Sequence, residues 1–150
     1  MLALLRRSGA DLFNVSSRRW YKPEWPDSAH PDYSIAEWAR CLTDAPVMTT
    51  GSVGLDVEMF ANLFDDEEPS ESPVERDLAA LAERVRAGRV DLVGVGRMHI
   101  ANNDFVARVR ARRFDALALF NKGVHLAEVM AAIGDGEPGF VEESRKAAAD

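Results

Sequence analysis

Two glycine-rich turns are the parts of this 150-residue chain whose residue types and spacing could do chemistry. The first turn is Gly-Ser-Val-Gly at 51–54, and the second is Gly-Val-Gly-Arg at 94–97. Glycine lets main-chain N–H groups approach an anion closely, and arginine adds a permanent positive charge. Either turn alone is explained equally well as a tight connection between a strand and a helix. The two together favour a site for a phosphate-bearing ligand held mainly by main-chain N–H groups.

Neither turn matches the two best-known nucleotide-binding motifs. A dinucleotide-binding fingerprint needs a third glycine at the position where this chain has His99. Neither turn ends in the Gly-Lys-Ser/Thr sequence of a P-loop. The spacing therefore predicts a phosphate group but does not identify the molecule that carries it.

The other reactive side chains indicate no catalytic residue and no metal site. Cys41 is the only cysteine, so it forms no intrachain disulfide, and a zinc site needs several nitrogen or sulfur ligands. We interpret Cys41 as a small packing residue and His99 as a turn histidine, with phosphate binding by His99 as the less favoured alternative. His30 and His125 have no carboxylate or nucleophile at a suggestive spacing. The acidic run 65–68 is interpreted as a solvated loop rather than a metal site.

The charge balance disfavours two classes of partner. The chain has 18 Lys and Arg against 25 Asp and Glu, a net charge of −7. Nucleic-acid binders and polybasic membrane-surface proteins normally carry a basic face instead. No stretch reaches the run of about 18 apolar residues that a membrane helix requires. We therefore expect a soluble cytoplasmic protein that binds neither nucleic acid nor membranes.

Three short apolar runs, at 11–16, 47–50 and 90–95, predict buried strands. Because helical patterns alternate with these runs, the sequence predicts right-handed crossovers and a parallel sheet, which is the α/β class. Both glycine turns then lie at the carboxyl ends of strands, where such folds bind ligands. Three parallel strands alone would leave two unpaired edges. The pattern therefore fits part of a larger sheet or barrel.

Capping patterns and glycines predict where the helices begin and end. Capping boxes at Ser34–Glu37 and Ser72–Glu75 predict two helix starts, and Gly9 and Gly88 predict two helix ends. A further helix is predicted over 104–112, a weaker helical stretch over 114–133, and a flexible tail over 134–150. The residues predicted to face inward are Ile35, Trp38, Ala39, Leu42, Leu78, Leu81, Ala82, Val85, Phe105, Val106 and Val109.

Residues 1–9 have the pattern of the last turn of a helix, with apolar residues followed by two arginines and a glycine. No capping residue or first turn precedes them. This pattern suggests the remainder of a longer chain, and an ordinary frayed N-terminal helix explains it equally well.

Three segments together resemble the old yellow enzyme family of NAD(P)H:flavin oxidoreductases. Residues 91–97 and 100–105 are similar to the last barrel strand of that family, which typically has Gly-x-Gly-Arg followed by Ala-Asn-Pro-Asp-Leu; Asn103 stands here in place of the proline. Residues 13–20 and 46–54 resemble strands six and seven of bacterial members. The resemblance spans about residues 1–120. It implies that residues 1–133 are the C-terminal part of a TIM (β/α)8 barrel, strands six to eight.

The resemblance also implies a flavoprotein that uses flavin mononucleotide (FMN). Such enzymes pass hydride from NADH or NADPH through the flavin to an activated alkene, typically an α,β-unsaturated carbonyl compound. Carried over by motif, Gly51, Ser52, Gly96 and Arg97 would hold the FMN phosphate, and one of the loop aromatics Trp20 and Tyr21 would contact substrate. In this family the His/His or His/Asn pair that anchors the substrate carbonyl, and the proton-donating Tyr, lie on earlier strands. We therefore expect this chain alone to be inactive.

Two other interpretations remain open at this point. The chain could be the end of another phosphate-binding barrel, such as a lyase or an isomerase, which would share the glycine turns but bind no flavin. It could also be a non-enzymatic half-barrel that associates with a copy of itself or with a complementary fragment. Such association would cover the open edges of the sheet.

Overall fold

The computed structural model describes residues 1–64 and 69–127. The chain divides into two compact units, Met1–Phe120 and Asn121–Asp150. In the second unit the described residues are 121–127, which are helical from 122 to 127. The acidic run 65–68 and the predicted tail 134–150 lie outside the described residues. Among the residues that the structure describes, no helix is long and apolar enough to cross a bilayer.

A three-stranded parallel sheet forms the centre of the first unit, in the order β1-β2-β3. The strands are β1 (Phe13–Ser16), β2 (Val47–Thr50) and β3 (Leu92–Gly94). Phe13 pairs with Val47, and Met48 pairs with Leu92. The predicted α/β class with an open parallel sheet is therefore confirmed. The bounds of β2 match the prediction, whereas β1 and β3 are shorter than the apolar runs that predicted them.

The described residues of the first unit form six α-helices: α1 (Leu2–Arg7), α2 (Ile35–Cys41), α3 (Met59–Phe64), α4 (Val74–Arg86), α5 (Arg97–Ala101) and α6 (Phe105–Arg110). A 3-10 turn at Phe114–Ala116 follows. The sequence did not predict α3 or α5, which have six and five residues and lack both a capping box and a glycine stop. The weak helical pattern over 114–133 is not continuous, since residues 117–121 are irregular.

The predicted glycine stops of α1 and α4 are confirmed. Gly9 and Gly88 have φ angles of +101° and +67°, in the left-handed region that favours glycine. The residue after each glycine donates its N–H back into the helix, Ala10 to the Leu5 carbonyl at 3.1 Å and Arg89 to the Arg84 carbonyl at 2.9 Å. These bonds form Schellman motifs that satisfy the last carbonyl groups of the helix.

One of the two predicted capping boxes forms. At the start of α2 the Ser34 N–H donates to Glu37 Oε2 at 2.7 Å, as the capping box requires. The box predicted at Ser72 is wrong, because α4 begins only at Val74. The Ser72 hydroxyl donates instead to the Gly54 carbonyl at 3.1 Å. This bond ties the segment before α4 to the first glycine turn.

The core under the sheet uses smaller side chains than predicted. Ala36 and Ala39 of α2 pack with Val47 and Val90, and Phe13 and Val15 lie against them. The expected inward positions Leu42, Val85 and Val106 are exposed, and so is Cys41. Leu42 faces solvent because α2 ends at Cys41. A full apolar stripe is not needed, because the small side chains of Ala36 and Ala39 let α2 lie close to the sheet.

Glu37 is a fully buried carboxylate on the inward side of α2. Its Oε1 atom lies 2.9 Å from Nε of Arg84 and 2.6 Å from Nε of Arg89, so two cations share one anion. The Arg84 guanidinium lies 4.6 Å from the centre of the Trp20 ring, and that of Arg89 lies 4.4 Å from the Tyr33 ring. This network joins α2 to the C-terminal end of α4.

Candidate functional site: a cationic cavity at the strand ends

A cavity of about 410 Å³ opens at the carboxyl ends of the three strands. Ser16, Thr50 and Gly94, the last residues of β1, β2 and β3, line it. Both glycine turns contribute to its wall, since the lining residues include Gly51, Ser52, Gly96 and Arg97. The rest of the wall is largely apolar, with Val53, Leu55, Met59 and Ile100. A cavity in this place is typical of ligand sites in α/β folds.

The side chain of Arg97 joins the two glycine turns. Arg97 is the first residue of α5, directly after Gly96. Its Nη2 donates to Ser52 Oγ at 2.9 Å and to the Val57 carbonyl at 2.8 Å, and its Nη1 donates to Asn62 Oδ1 at 3.1 Å. Two residues that the sequence placed on separate turns are therefore in direct contact. That they bind phosphate stays a prediction.

The positive charge of Arg97 has no counter-charge among the described residues. All three acceptors of its guanidinium are neutral oxygens, and no described carboxylate forms an ion pair with it. Burial lowers the pKa of Arg97, and the positive charge of Arg19 lowers it further. The pKa of an arginine is so high that the group stays protonated at neutral pH. The wall of the cavity thus carries a half-buried cation that is free to attract an anion.

Ser52 adopts a backbone conformation that is uncommon for a side-chain-bearing residue, with φ of +51°. Its hydroxyl donates to the Arg18 carbonyl at 3.0 Å while it accepts from Arg97. The main-chain N–H groups of Ser52 and Val53 donate to no acceptor in the described part of the chain. These two groups are therefore available to an anion at the rim of the cavity.

Asp77 of α4 holds the first glycine turn in place through hydrogen bonds. It is 3% exposed, and its Oδ2 accepts the Gly54 N–H at 3.0 Å and the Trp20 Nε1–H at 3.4 Å. The sequence did not indicate this role. The signal that could have found it is a carboxylate beside the apolar positions Val74 and Leu81 of an amphipathic helix.

Gly51 and Gly96 serve different purposes in the two turns. A Cβ on Gly51 would lie 2.6 Å from the Ser17 carbonyl oxygen and 2.9 Å from the Trp20 nitrogen, so only glycine fits there. A Cβ on Gly96 would meet no atom within 4 Å. Because Gly96 lines the cavity, the absent side chain leaves open space on the side where a ligand could bind.

Trp20 and Tyr21, the predicted substrate contacts, do not line this cavity. Trp20 is 4% exposed and packs with Val53 and Leu81. Tyr21 meets the Trp20 ring edge-on at 5.2 Å. Both line a shallow depression together with residues of α4. The Trp20 main-chain N–H donates to the Gly51 carbonyl at 3.1 Å and so holds the first glycine turn, but neither Trp20 nor Tyr21 lines the cavity with Ser52 and Arg97. A contact with substrate stays a prediction.

The segment from Asp56 to Asn62 supplies two of the three acceptors of Arg97, Val57 and Asn62, and the sequence did not indicate it. Arg19 holds its start, with Nη2 donating to the Asp56 carbonyl at 2.6 Å. The Asp56 carboxylate accepts the N–H groups of Ser70 and Glu71 and the Ser70 hydroxyl. Burial raises the pKa of Asp56, but these hydrogen bonds outweigh that effect and leave the pKa lowered.

The cavity has the chemistry of an anion-binding site. The ionisable side chains among its described lining residues are Arg18 and Arg97, which are both cationic. His99 is exposed and lies 4.9 Å from the Phe105 ring. Within residues 1–64 and 69–127, no group of three or more His, Cys, Asp or Glu side chains could hold a metal ion.

No protein-family model matches this chain, and no curated protein matches its sequence.

Proposed function

We propose that this chain is the phosphate-binding part of an FMN-dependent NAD(P)H:flavin oxidoreductase of the old yellow enzyme type. The observation that carries the proposal is the contact between Ser52 and Arg97 at the cavity wall. It joins the ends of two neighbouring parallel strands around a guanidinium whose described acceptors are all neutral. A phosphate monoester carries nearly two negative charges at neutral pH and suits such a group.

The residues present fit the phosphate end of FMN. Arg97 would supply the charge, the N–H groups of Ser52 and Val53 would donate hydrogen bonds, and Gly96 would leave the space. The apolar wall beside them suits the body of an organic ligand. Bound FMN would supply hydride-transfer chemistry, from NADH or NADPH to an activated alkene such as an α,β-unsaturated carbonyl compound.

The arrangement of the strands supports assignment to the end of a (β/α)8 barrel. The three strands are parallel and follow chain order, as successive strands of such a barrel do. Phosphate sites of these barrels commonly lie in the loops after the last two strands. The turns at 51–54 and 94–97 follow β2 and β3, which are strands seven and eight in this proposal.

Catalysis is proposed to require further strands. The cavity wall holds cations and hydroxyl groups but no described carboxylate, histidine or tyrosine that could exchange a proton with substrate. The proposed role of this chain is therefore to bind and orient the cofactor, and we expect no turnover of NADH or NADPH by the chain alone.

The test is an equilibrium titration of the purified chain with FMN, followed by flavin fluorescence, beside riboflavin and inorganic phosphate. We expect FMN to bind more tightly than either part alone. Arg97→Gln should weaken FMN binding by about ten- to a hundred-fold, the range for a lost hydrogen bond to a charged group. Arg110→Gln removes the same charge from an exposed position of α6 and serves as the control.

Two results would argue against the flavin assignment. If the chain binds inorganic phosphate as tightly as FMN, the cavity belongs to another phosphate-binding barrel, such as a lyase or an isomerase. If Arg97→Gln and Arg110→Gln bind FMN equally well, the guanidinium does not hold the phosphate.

A further inference from the structure

Asn62 is the most completely buried contact of the Arg97 guanidinium. It lies on α3, is 0% exposed, and accepts the Arg97 Nη1–H at 3.1 Å through Oδ1. It is not among the residues that line the cavity, so it stands behind the guanidinium. The hydrogen bond to Arg97 is therefore a route by which Asn62 can influence a ligand in the cavity.

The residue type at position 62 is informative, because buried guanidinium groups are usually paired with carboxylates. This chain shows that usual arrangement elsewhere, where the buried Glu37 lies against Arg84 and Arg89. Asparagine has nearly the size and shape of aspartate, but its amide carries no charge. It offers Arg97 a hydrogen-bond acceptor without neutralising it.

We infer that Asn62 is a positioning residue that fixes the Arg97 guanidinium and, being neutral, leaves its positive charge available to an anion in the cavity. The inference rests on the anion site of the proposed function and extends it to a residue outside the cavity wall. The affinity of the site for an anion then depends on the neutral side chain at position 62 as well as on Arg97.

The two possible roles of Asn62 predict different effects on phosphate affinity. If Asn62 only supports the structure, Asn62→Ala should weaken phosphate binding most, because it removes the hydrogen-bond acceptor and leaves a small void. If Asn62 leaves the charge of Arg97 available, Asn62→Asp should weaken phosphate binding most, because it keeps the shape but places a carboxylate against the guanidinium. The two roles therefore predict opposite orders for the two variants.

The experiment measures the affinity for inorganic phosphate, by chemical-shift titration at pH 7.5, and the Tm of each variant. We expect Asn62→Asp to bind phosphate at least about ten-fold more weakly than the wild type, because an internal carboxylate replaces the ligand. Asn62→Ala should lose about three-fold or less, with a lower Tm than Asn62→Asp. Asn103→Asp adds the same charge at an exposed position and should bind within about two-fold of the wild type.

Each other outcome overturns a defined statement. Equal weakening by Asn62→Ala and Asn62→Asp, or wild-type affinity in Asn62→Asp, would refute the role of Asn62 and leave the proposed function standing. Failure of Asn62→Asp to fold would also refute it, since a carboxylate against Arg97 should form an ion pair. If the wild type binds neither phosphate nor FMN, both statements fail. If it binds FMN but no inorganic phosphate, the role of Asn62 is refuted and the proposed function stands. If it binds phosphate no more weakly than FMN, only the flavin assignment fails.

Discussion

Two arginines of this chain differ in the partners that their guanidinium groups meet. Arg84 lies against the fully buried carboxylate of Glu37, which cancels its charge inside the fold. Arg97 meets a hydroxyl, a carbonyl and an amide, which orient it but leave its charge uncancelled. Burial lowers the pKa of Arg97, and none of its described partners carries the negative charge that would oppose this effect.

The two turn glycines give a prediction at the same scale. Gly51→Ala should destabilise the fold by about 1–3 kcal/mol, because the new Cβ meets main-chain atoms of Ser17 and Trp20 that cannot move aside. Gly96→Ala should change the free energy of unfolding by less than about 0.5 kcal/mol, since its Cβ meets nothing. Urea denaturation of both variants measures the difference.

The affinity for FMN should be lowered by the substitution of Gly96, which leaves the stability of the fold unchanged. Gly96→Ala places a methyl group at the cavity wall, so FMN binding should weaken although the fold is unchanged. A stable Gly96→Ala variant with wild-type FMN affinity would show that the ligand does not approach the second turn.

Among the elements, α2 and α4 depend on the buried carboxylate that joins them. Glu37→Ala should lower the free energy of unfolding by about 3–5 kcal/mol, because Arg84 and Arg89 lose a buried anion that both share. Glu83→Ala is the matched control, since Glu83 forms an exposed ion pair with Arg86 on the same helix as Arg84. Exposed pairs contribute about 0–1 kcal/mol. Similar losses in the two variants would mean that the buried network contributes little.

The elements that the sequence predicted are those with a local signal. The strand at 47–50 has a short apolar run bounded by a proline and a glycine, and α2 has its capping box at Ser34. The predicted cap at Ser72 was wrong, because α4 begins at Val74 with Pro73 at the cap position. The Ser72 hydroxyl donates to the carbonyl of Gly54, a tertiary contact that the local capping pattern does not indicate.

In the candidate site, too, some contacts were predictable from the sequence and others were not. That Ser52 and Arg97 would lie near each other was predictable, because the carboxyl ends of neighbouring parallel strands lie at one edge of a sheet. The roles of Val57 and Asn62 were not, since a main-chain carbonyl carries no sequence signal and α3 has neither a capping box nor a glycine stop to mark it. The contacts that orient Arg97 became visible only in three dimensions.

For the molecule as a whole, the open sheet is the feature that favours association with another chain. Among the described residues, nothing pairs with the outer edge of β1 or of β3. The sheet face opposite α2 carries Asn14, Met48 and Leu92, of which Asn14 and Leu92 are exposed. Parallel sheets are normally buried on both faces. We therefore expect the chain to associate with a second copy or with a complementary barrel fragment.

Sedimentation velocity over a range of protein concentrations tests this expectation. The wild type should self-associate with increasing concentration, and Leu92→Lys should raise the dissociation constant by about ten-fold or more, as for a buried apolar anchor that is replaced by a charge. Leu92 is 46% exposed, so the change should alter Tm little. Leu42→Lys is the control, because Leu42 is 64% exposed beyond the end of α2 and away from the sheet.

A wild type that stays monomeric, or equal association of the two variants, would show that the sheet edge is not the contact. Association that only Leu92→Lys weakens would place the partner on the strand whose carboxyl end leads to Arg97.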